Sequence, residues 1–177
     1  MTDSPKKMDE LIRFFREREK ELECIYRIEE ILKAPHETVA EIFGAIVEAI
    51  PPGWQYPEVC AARISMGTDV YTSSGFAETP WVQKADITVQ GKTAGERGGY
   101  YTKERPLADD GPFLTHEARL LKAIADRLGG FVLHRRIEEA AGAAELKEEG
   151  EREGAWEVIL DLLRQTDPSL FATVSEK

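Results

Sequence analysis

Cysteine is scarce in this chain of 177 residues: there are two, Cys24 and Cys60, far apart on segments of different type. That excludes a disulfide framework and reads as small apolar residues in a reducing compartment. No apolar run approaches the ~20 residues of a membrane span. The first residues, Met1 to Lys7, carry no apolar core, so no secretory signal is read there. These absences predict a cytoplasmic protein. Cations are outnumbered, 23 Lys and Arg against 33 Asp and Glu, for a formal net charge of −10. Such a charge argues against a general binder of nucleic acid or anionic membrane, because phosphates are repelled.

Motifs of catalysis and metal binding are missing as well. The three histidines, His36, His116 and His134, fall on helix surfaces by pattern and none has a second histidine at ligand spacing, so no metal site is expected. His116-Glu117 has no second histidine for a zinc helix. Gly91-Lys92-Thr93 lacks the upstream glycine of a phosphate loop, position 86 being Asp, and a hairpin turn explains it better. Asp109-Asp110-Gly111 is not followed by the oxygen ligands of a calcium loop. No Ser/His/Asp or Cys/His set is readable. The expectation is a non-catalytic chain without a cofactor.

What is present is punctuation and periodicity. Residues 8–33 predict a helix in which Met8, Leu11, Phe15, Leu22, Ile25 and Leu32 recur at three-, four- and seven-residue steps, interrupted at Arg18 and Glu29. Among its charged filler, Glu17 and Lys20 form the favourable i,i+3 pair. Two readings stand: one amphipathic helix packed on its own sheet, or a helix whose first half pairs with a second copy through Met8, Leu11, Phe15, Leu22 and Ile25. Pro35 ends it. A second helix is predicted from near His36, with Glu37 and Glu41 in its first turns and Val39, Ile42, Phe43, Ile46, Val47 and Ile50 as its stripe. Pro51-Pro52-Gly53 stops it, and Trp54 is placed as an anchor.

Strands are predicted over 59–66, 70–73, 81–90 and 93–103, with Gly91-Lys92 as a tight hairpin connection. The last strand is diluted by Gly95, Gly98 and Gly99, which marks a bulge or a close backbone approach. Thr115 is the natural N-cap of a third helix, without a reciprocal Glu or Gln, and Leu120, Leu121, Ile124, Leu128, Phe131 and Val132 form its stripe. Residues 141–154 are acidic and glycine-broken and predict a part-helical linker. Residues 155–177 then hold a short amphipathic helix ended by Asp167-Pro168, read as the start of a downstream region or a docking tail. The domain plan is therefore a signalling helix over 1–33, a globular part over 34–140, a linker and a tail. Arg63, Tyr71, Trp81, Arg97 and Tyr101, from strands and loops of one sheet, are the candidate lining of a pocket for an anionic or planar metabolite.

The stretch from about Leu22 to Ala141 resembles the GAF-like sensory domain found ahead of histidine kinase, cyclase and other output modules. The resemblance rests on Glu23 to Ile28, Pro35, Ile50 to Pro57 with its Pro-Pro-Gly-Trp phrase, and Ala61 to Ile64. It continues through Phe76, Thr79, Trp81, Ala85 to Ile87, Tyr100-Tyr101 and Gly111 to Leu114, then Glu117, Leu121, Ile124, Ala125 and Leu128-Gly129. It implies an α+β fold, a central antiparallel sheet of five or six strands flanked by helices, with long N- and C-terminal helices. It also implies a homodimer that passes a signal along those helices, with a possible small-molecule effector. The tail, Ala155 to Phe171, is similar to the segment joining such a domain to a phosphoenolpyruvate synthase or pyruvate phosphate dikinase-like enzyme. That implies a phosphotransferase as the attached output, with a sensor histidine kinase, or a ligand-free structural dimerisation module, as alternatives. Gly95 to Gly99 departs from the apolar strand usual there, the Asn-Lys-Phe-Asp-Glu signature of cyclic-nucleotide-binding relatives is missing, and neither cysteine matches a bilin attachment site.

Overall fold

The computed structural model describes residues 4–35 and 38–166, with side chains over 7–35 and 38–143. The chain divides into two units, Met1–Leu133 and His134–Lys177. In the first unit, helix α1 (Ser4–Lys33) and helix α2 (Val39–Ala49) precede two short 3-10 turns, Pro51–Gly53 and Pro57–Val59. Strands β1 (Cys60–Met66), β2 (Asp69–Thr72), β3 (Val82–Val89) and β4 (Lys92–Tyr101) follow. Helix α3 (Thr115–Thr166) starts in the first unit and runs into the second, where His134 Nε2 lies 3.2 Å from Glu138 Oε1. Residues 141–154, expected as a linker, fall within the bounds of α3.

The fold is α+β. Its antiparallel sheet has four strands in the order β2-β1-β4-β3, where five or six were expected. The strands read from alternation are the four that form, and the segments between them (73–81 and 102–114) make turns and bridges rather than a further ladder. The glycine-rich β4 is central, paired with β1 on one side and β3 on the other. Ile87 stands opposite Gly95 and Thr88 opposite Thr93, so Ala94 is the extra residue of a bulge.

The helices cover one face of this sheet. Cys24 and Ile28 of α1, Phe43 and Ile46 of α2, and Leu121, Ile124 and Leu128 of α3 form one core with Cys60, Ala62, Ile64, Ile87 and Tyr101. On the opposite face lie charged pairs, Lys84 with Glu96 at 3.0 Å and Arg63 with Glu78 at 3.8 Å. Phe76 from the loop packs edge-on to Tyr100 on that face, with ring centroids 5.0 Å apart.

Three local expectations are corrected. Helix α2 begins at Val39, capped by Thr38: Thr38 Oγ1 accepts from Glu41 N–H and Glu41 Oε2 accepts from Thr38 N–H. His36 and Glu37 lie outside the described residues. The β3–β4 hairpin turns at Gln90-Gly91, one residue earlier than read, because Val89 pairs with Lys92. Thr115 is the first residue of α3 rather than its cap. Asp109 Oδ2 accepts from Thr115 N–H at 2.8 Å, and Glu117 Oε2 reaches back to accept from Leu114 N–H at 2.6 Å.

Candidate functional site

Pro51-Pro52-Gly53-Trp54 sets the geometry. Pro51–Gly53 folds as a 3-10 turn after α2, with Trp54 N–H donating to Pro51 C=O at 3.1 Å. The turn presses against α1 and α3: a β-carbon on Gly53 would sit 2.8 Å from Cys24 Cβ and 3.1 Å from Leu120 Cδ2. Trp54 is fully buried, and Lys20 Nζ of α1 donates to its carbonyl at 3.0 Å. Its indole lies on β4, where a β-carbon at Gly99 would stand 3.1 Å from the ring and 3.2 Å from Nε1. The dilution of β4 by glycine thus makes room for a tryptophan.

The register separates the five pocket residues expected from sequence. Tyr71, Ile64, Arg97 and Ala85 form one rung across the sheet, on the face covered by helices. Tyr101 shares that face, four residues along β4. Tyr71 packs edge-on to Phe43 of α2, with centroids 5.3 Å apart. Trp81, half-buried, stands beside the end of β4, where Tyr101 N–H donates to its carbonyl at 3.0 Å. Arg63 is on the opposite face, since Ala62 and Ile64 point into the core and side chains alternate. The structure therefore does not gather all five around one space. Among the described residues Arg97 alone is a buried Lys or Arg.

Arg97 is 1% exposed, and none of its three side-chain nitrogens has a hydrogen-bond partner among the described residues. Burial lowers its pKa to about 9, which leaves the guanidinium charged at neutral pH. A buried unpaired charge costs on the order of several kcal/mol. Two neighbours on the same face share the condition: Trp54 Nε1 and both amide atoms of Gln83 are buried without partners. Gln83 stands opposite Gly99, and Arg97 is two residues from it, so all three residues flank Gly99 on one face. Cys24 of α1 also feels this charge. Burial pushes its thiol up to about 11, and Arg97 offsets part of that rise.

A second polar cluster escaped the sequence reading. Glu117 is 1% exposed and accepts three hydrogen bonds, from Gln55 N–H at 2.7 Å, Leu114 N–H at 2.6 Å and Tyr101 O–H at 2.9 Å. Burial, then the adjacent carboxylate, raise the Tyr101 phenol well above its usual range, so it stays a donor. Tyr101 stacks on Phe113 with centroids 4.6 Å apart. Both oxygens of Glu117 are engaged in fixing the start of α3 to β4 and to residue 55, which makes it a clamp. Among the described residues no group of three or more His, Cys, Asp or Glu side chains could hold a metal ion.

Helix α1 presents the third feature. Glu21, Cys24, Ile28 and Ile31 are its buried stripe. Met8, Leu11, Ile12, Phe15, Leu22 and Tyr26 are exposed. Of the residues expected to pair with a second copy, Met8, Leu11, Phe15 and Leu22 lie on this open side, whereas Ile25 packs partly against the core. Met8, Ile12, Phe15, Glu19, Leu22 and Tyr26 follow at alternating four- and three-residue steps, the period of a coiled-coil seam. A shallow groove of about 660 Å³ runs along Ile12, Phe15, Leu22 and Tyr26. The sequence pairing Glu17–Lys20 forms at 2.8 Å.

Comparison with known proteins returns no matching family model, no matching curated protein and no matching solved structure. Among the described residues no helix is long and apolar enough to cross a membrane.

Proposed function

We propose that this chain is a non-catalytic, GAF-like sensory or regulatory module of the cytoplasm that forms a homodimer through its flanking helices. In this reading a ligand biases two arrangements of the helix pair, and the shift is passed to an attached output module. The output is a phosphoenolpyruvate synthase or pyruvate phosphate dikinase-like phosphotransferase, or else a sensor histidine kinase. The observation that carries the reading is the open side of α1. A heptad row with Met8, Phe15 and Leu22 at 55–60% exposure is what a second α-helix would cover. The antiparallel sheet with its helices on one face supports the fold resemblance. The chain's partners are then a second copy and a small molecule, with no nucleic acid and no membrane.

The experiment is sedimentation or light scattering of the full chain across concentration, with Phe15→Glu and Leu22→Glu as variants. Both side chains are exposed, so the globular part stays folded. The expected result is a dimer converted to monomer by either change. A wild-type chain that stays monomeric at all concentrations rejects the proposal.

A further inference from the structure

The polar groups beside Gly99 are buried without partners among the described residues. We propose that Arg97, Gln83 and Trp54 form a buried site for a small oxyanion carrying one hydroxyl group, such as an α-hydroxycarboxylate or hydrogen phosphate. The inference deepens the regulatory reading by naming the class of effector, and its signalling role rests on that reading.

The hydrogen-bond inventory sets the ligand. A guanidinium offers N–H donors in a fixed fork that fits two oxygens of a carboxylate or phosphate. The Trp54 indole adds one N–H and the Gln83 amide adds two, against one acceptor, Gln83 Oε1. Donors dominate, so the ligand must bring acceptor oxygens, and one hydroxyl would satisfy Gln83 Oε1. The register sets the three groups side by side on one face. Gln83 is opposite Gly99, the indole nitrogen is 3.2 Å from where a β-carbon of Gly99 would stand, and Arg97 pairs with Ala85 on the adjacent same-face rung. Diagonal neighbours on one face lie about 7–8 Å apart between backbones, within reach of long side chains. A fixed cation recruits the anion against the chain's overall charge of −10.

The site also borders the signalling helix. Cys24 of α1 senses the Arg97 charge, and the Pro51–Gly53 turn next to Trp54 touches Cys24 directly. An anion on Arg97 therefore acts on the same helix whose open side carries the apolar seam.

The test uses the full chain labelled with nitrogen-15 and titrated with sodium glycolate, acetate and phosphate against sodium chloride at equal ionic strength. The indole N–H signal of Trp54 is assigned by elimination with Trp81→Phe and Trp156→Phe, and the Arg97 Nε–H signal with Arg97→Lys. The expected result is a saturable shift of both signals with glycolate or phosphate, a weaker one with acetate, and a melting temperature raised by about 5 °C or more at saturation. Glycolate ahead of phosphate assigns a carboxylate ligand, and the reverse order assigns a phosphate. Arg97→Met should lose the response. If that variant does not fold, the wild-type titration decides alone. Signals that no oxyanion moves, that chloride moves equally, or that respond in Arg97→Met overturn the site. So does an Arg97 signal displaced by Glu21→Gln but by no anion, which would mean that the chain supplies its own counterion. Light scattering on the same samples separates the two readings. Saturable binding that leaves dimer affinity unchanged keeps the site and removes its regulatory role, whereas an intact dimer without binding does the opposite.

Discussion

Tyr101 O–H donates to Glu117 Oε1 over 2.9 Å, and both residues are almost wholly buried. The bond joins the last residue of β4 to the first turn of α3. Removing one partner leaves the carboxylate short of a donor in a dry setting. Tyr101→Phe should therefore cost about 1–3 kcal/mol. Glu117→Gln should cost more, because one of the backbone N–H groups at Gln55 and Leu114 would then face an amide donor. Urea unfolding with an unchanged slope measures both. A Tyr101→Phe variant as stable as wild type would show that the bond contributes nothing net.

Gly99 is filled by its neighbour, and this sets a second expectation. A methyl group there would meet the Trp54 ring at 3.1 Å, so the indole must move inside a closed core. Gly99→Ala should destabilise by roughly 1–3 kcal/mol, the usual range for overpacking. The indole N–H signal of Trp54 should shift while those of Trp81 and Trp156 hold. A silent substitution would refute the close packing of Trp54 on β4.

Glu21 gives a pH dependence. Burial raises its pKa, only partly countered by His116, 3.1 Å away, and by Arg18 at 2.7 Å, with Glu117 adding to the rise. A carboxyl raised in the folded state favours folding in its protonated form. That contribution is complete below the ordinary carboxylate range and is lost as pH climbs through the folded value. Glu21→Gln imitates the protonated group, so it should match wild type in acid and exceed it at neutral pH. Urea midpoints over a pH series measure this. A variant weaker than wild type at neutral pH would mean that the Arg18 and His116 pairings outweigh burial.

The β3–β4 hairpin offers a stabilising change. Gln90 has φ 52° and Gly91 φ 75°, the arrangement of a type I′ turn. Glutamine occupies the left-handed region at a penalty that asparagine largely avoids. Gln90→Asn should add about 0.5–1 kcal/mol, seen as a melting temperature higher by about 1–4 °C. Loss of stability would mean that Gln90 makes a contact that matters more than its backbone.

Periodicity carried the reading where apolar residues alternate or recur. Ile42, Phe43, Ile46 and Val47 announce the buried side of α2, and Ala62 with Ile64 fixes the inner face of β1. It failed where that signal is absent. Strand β4 has no apolar alternation between Lys92 and Gly99, so nothing local declares which way Arg97 points. Counting back by twos from the aromatic Tyr101 to Gly99 and Arg97 would have placed it on the core side. Glu117 reads as an ordinary acid in a first helical turn, because its burial depends on Tyr101 and Gln55, 16 and 62 residues away. The open row on α1 shows a subtler limit. Leu11 and Ile12 are both apolar, and only the packing of Cys24 and Ile28 decides that Ile12 and Tyr26, rather than Ile25, continue the row outward.

The Gly53 crossing has a consequence for synthesis. There Cys24 of α1 and Leu120 of α3 close on the same glycine, and nearby Arg127 Nε donates to Glu29 Oε1 at 3.0 Å across 98 residues. At about 5–20 residues per second, the ribosome takes on the order of 5–20 s to make that span. Until then the core that Ile28 and Ile31 enter lacks its α3 residues, while the outer row of α1 is also bare. Helix α1 is thus made well before the last of the elements that shelter it, and a nascent chain exposes apolar surface on both sides of it.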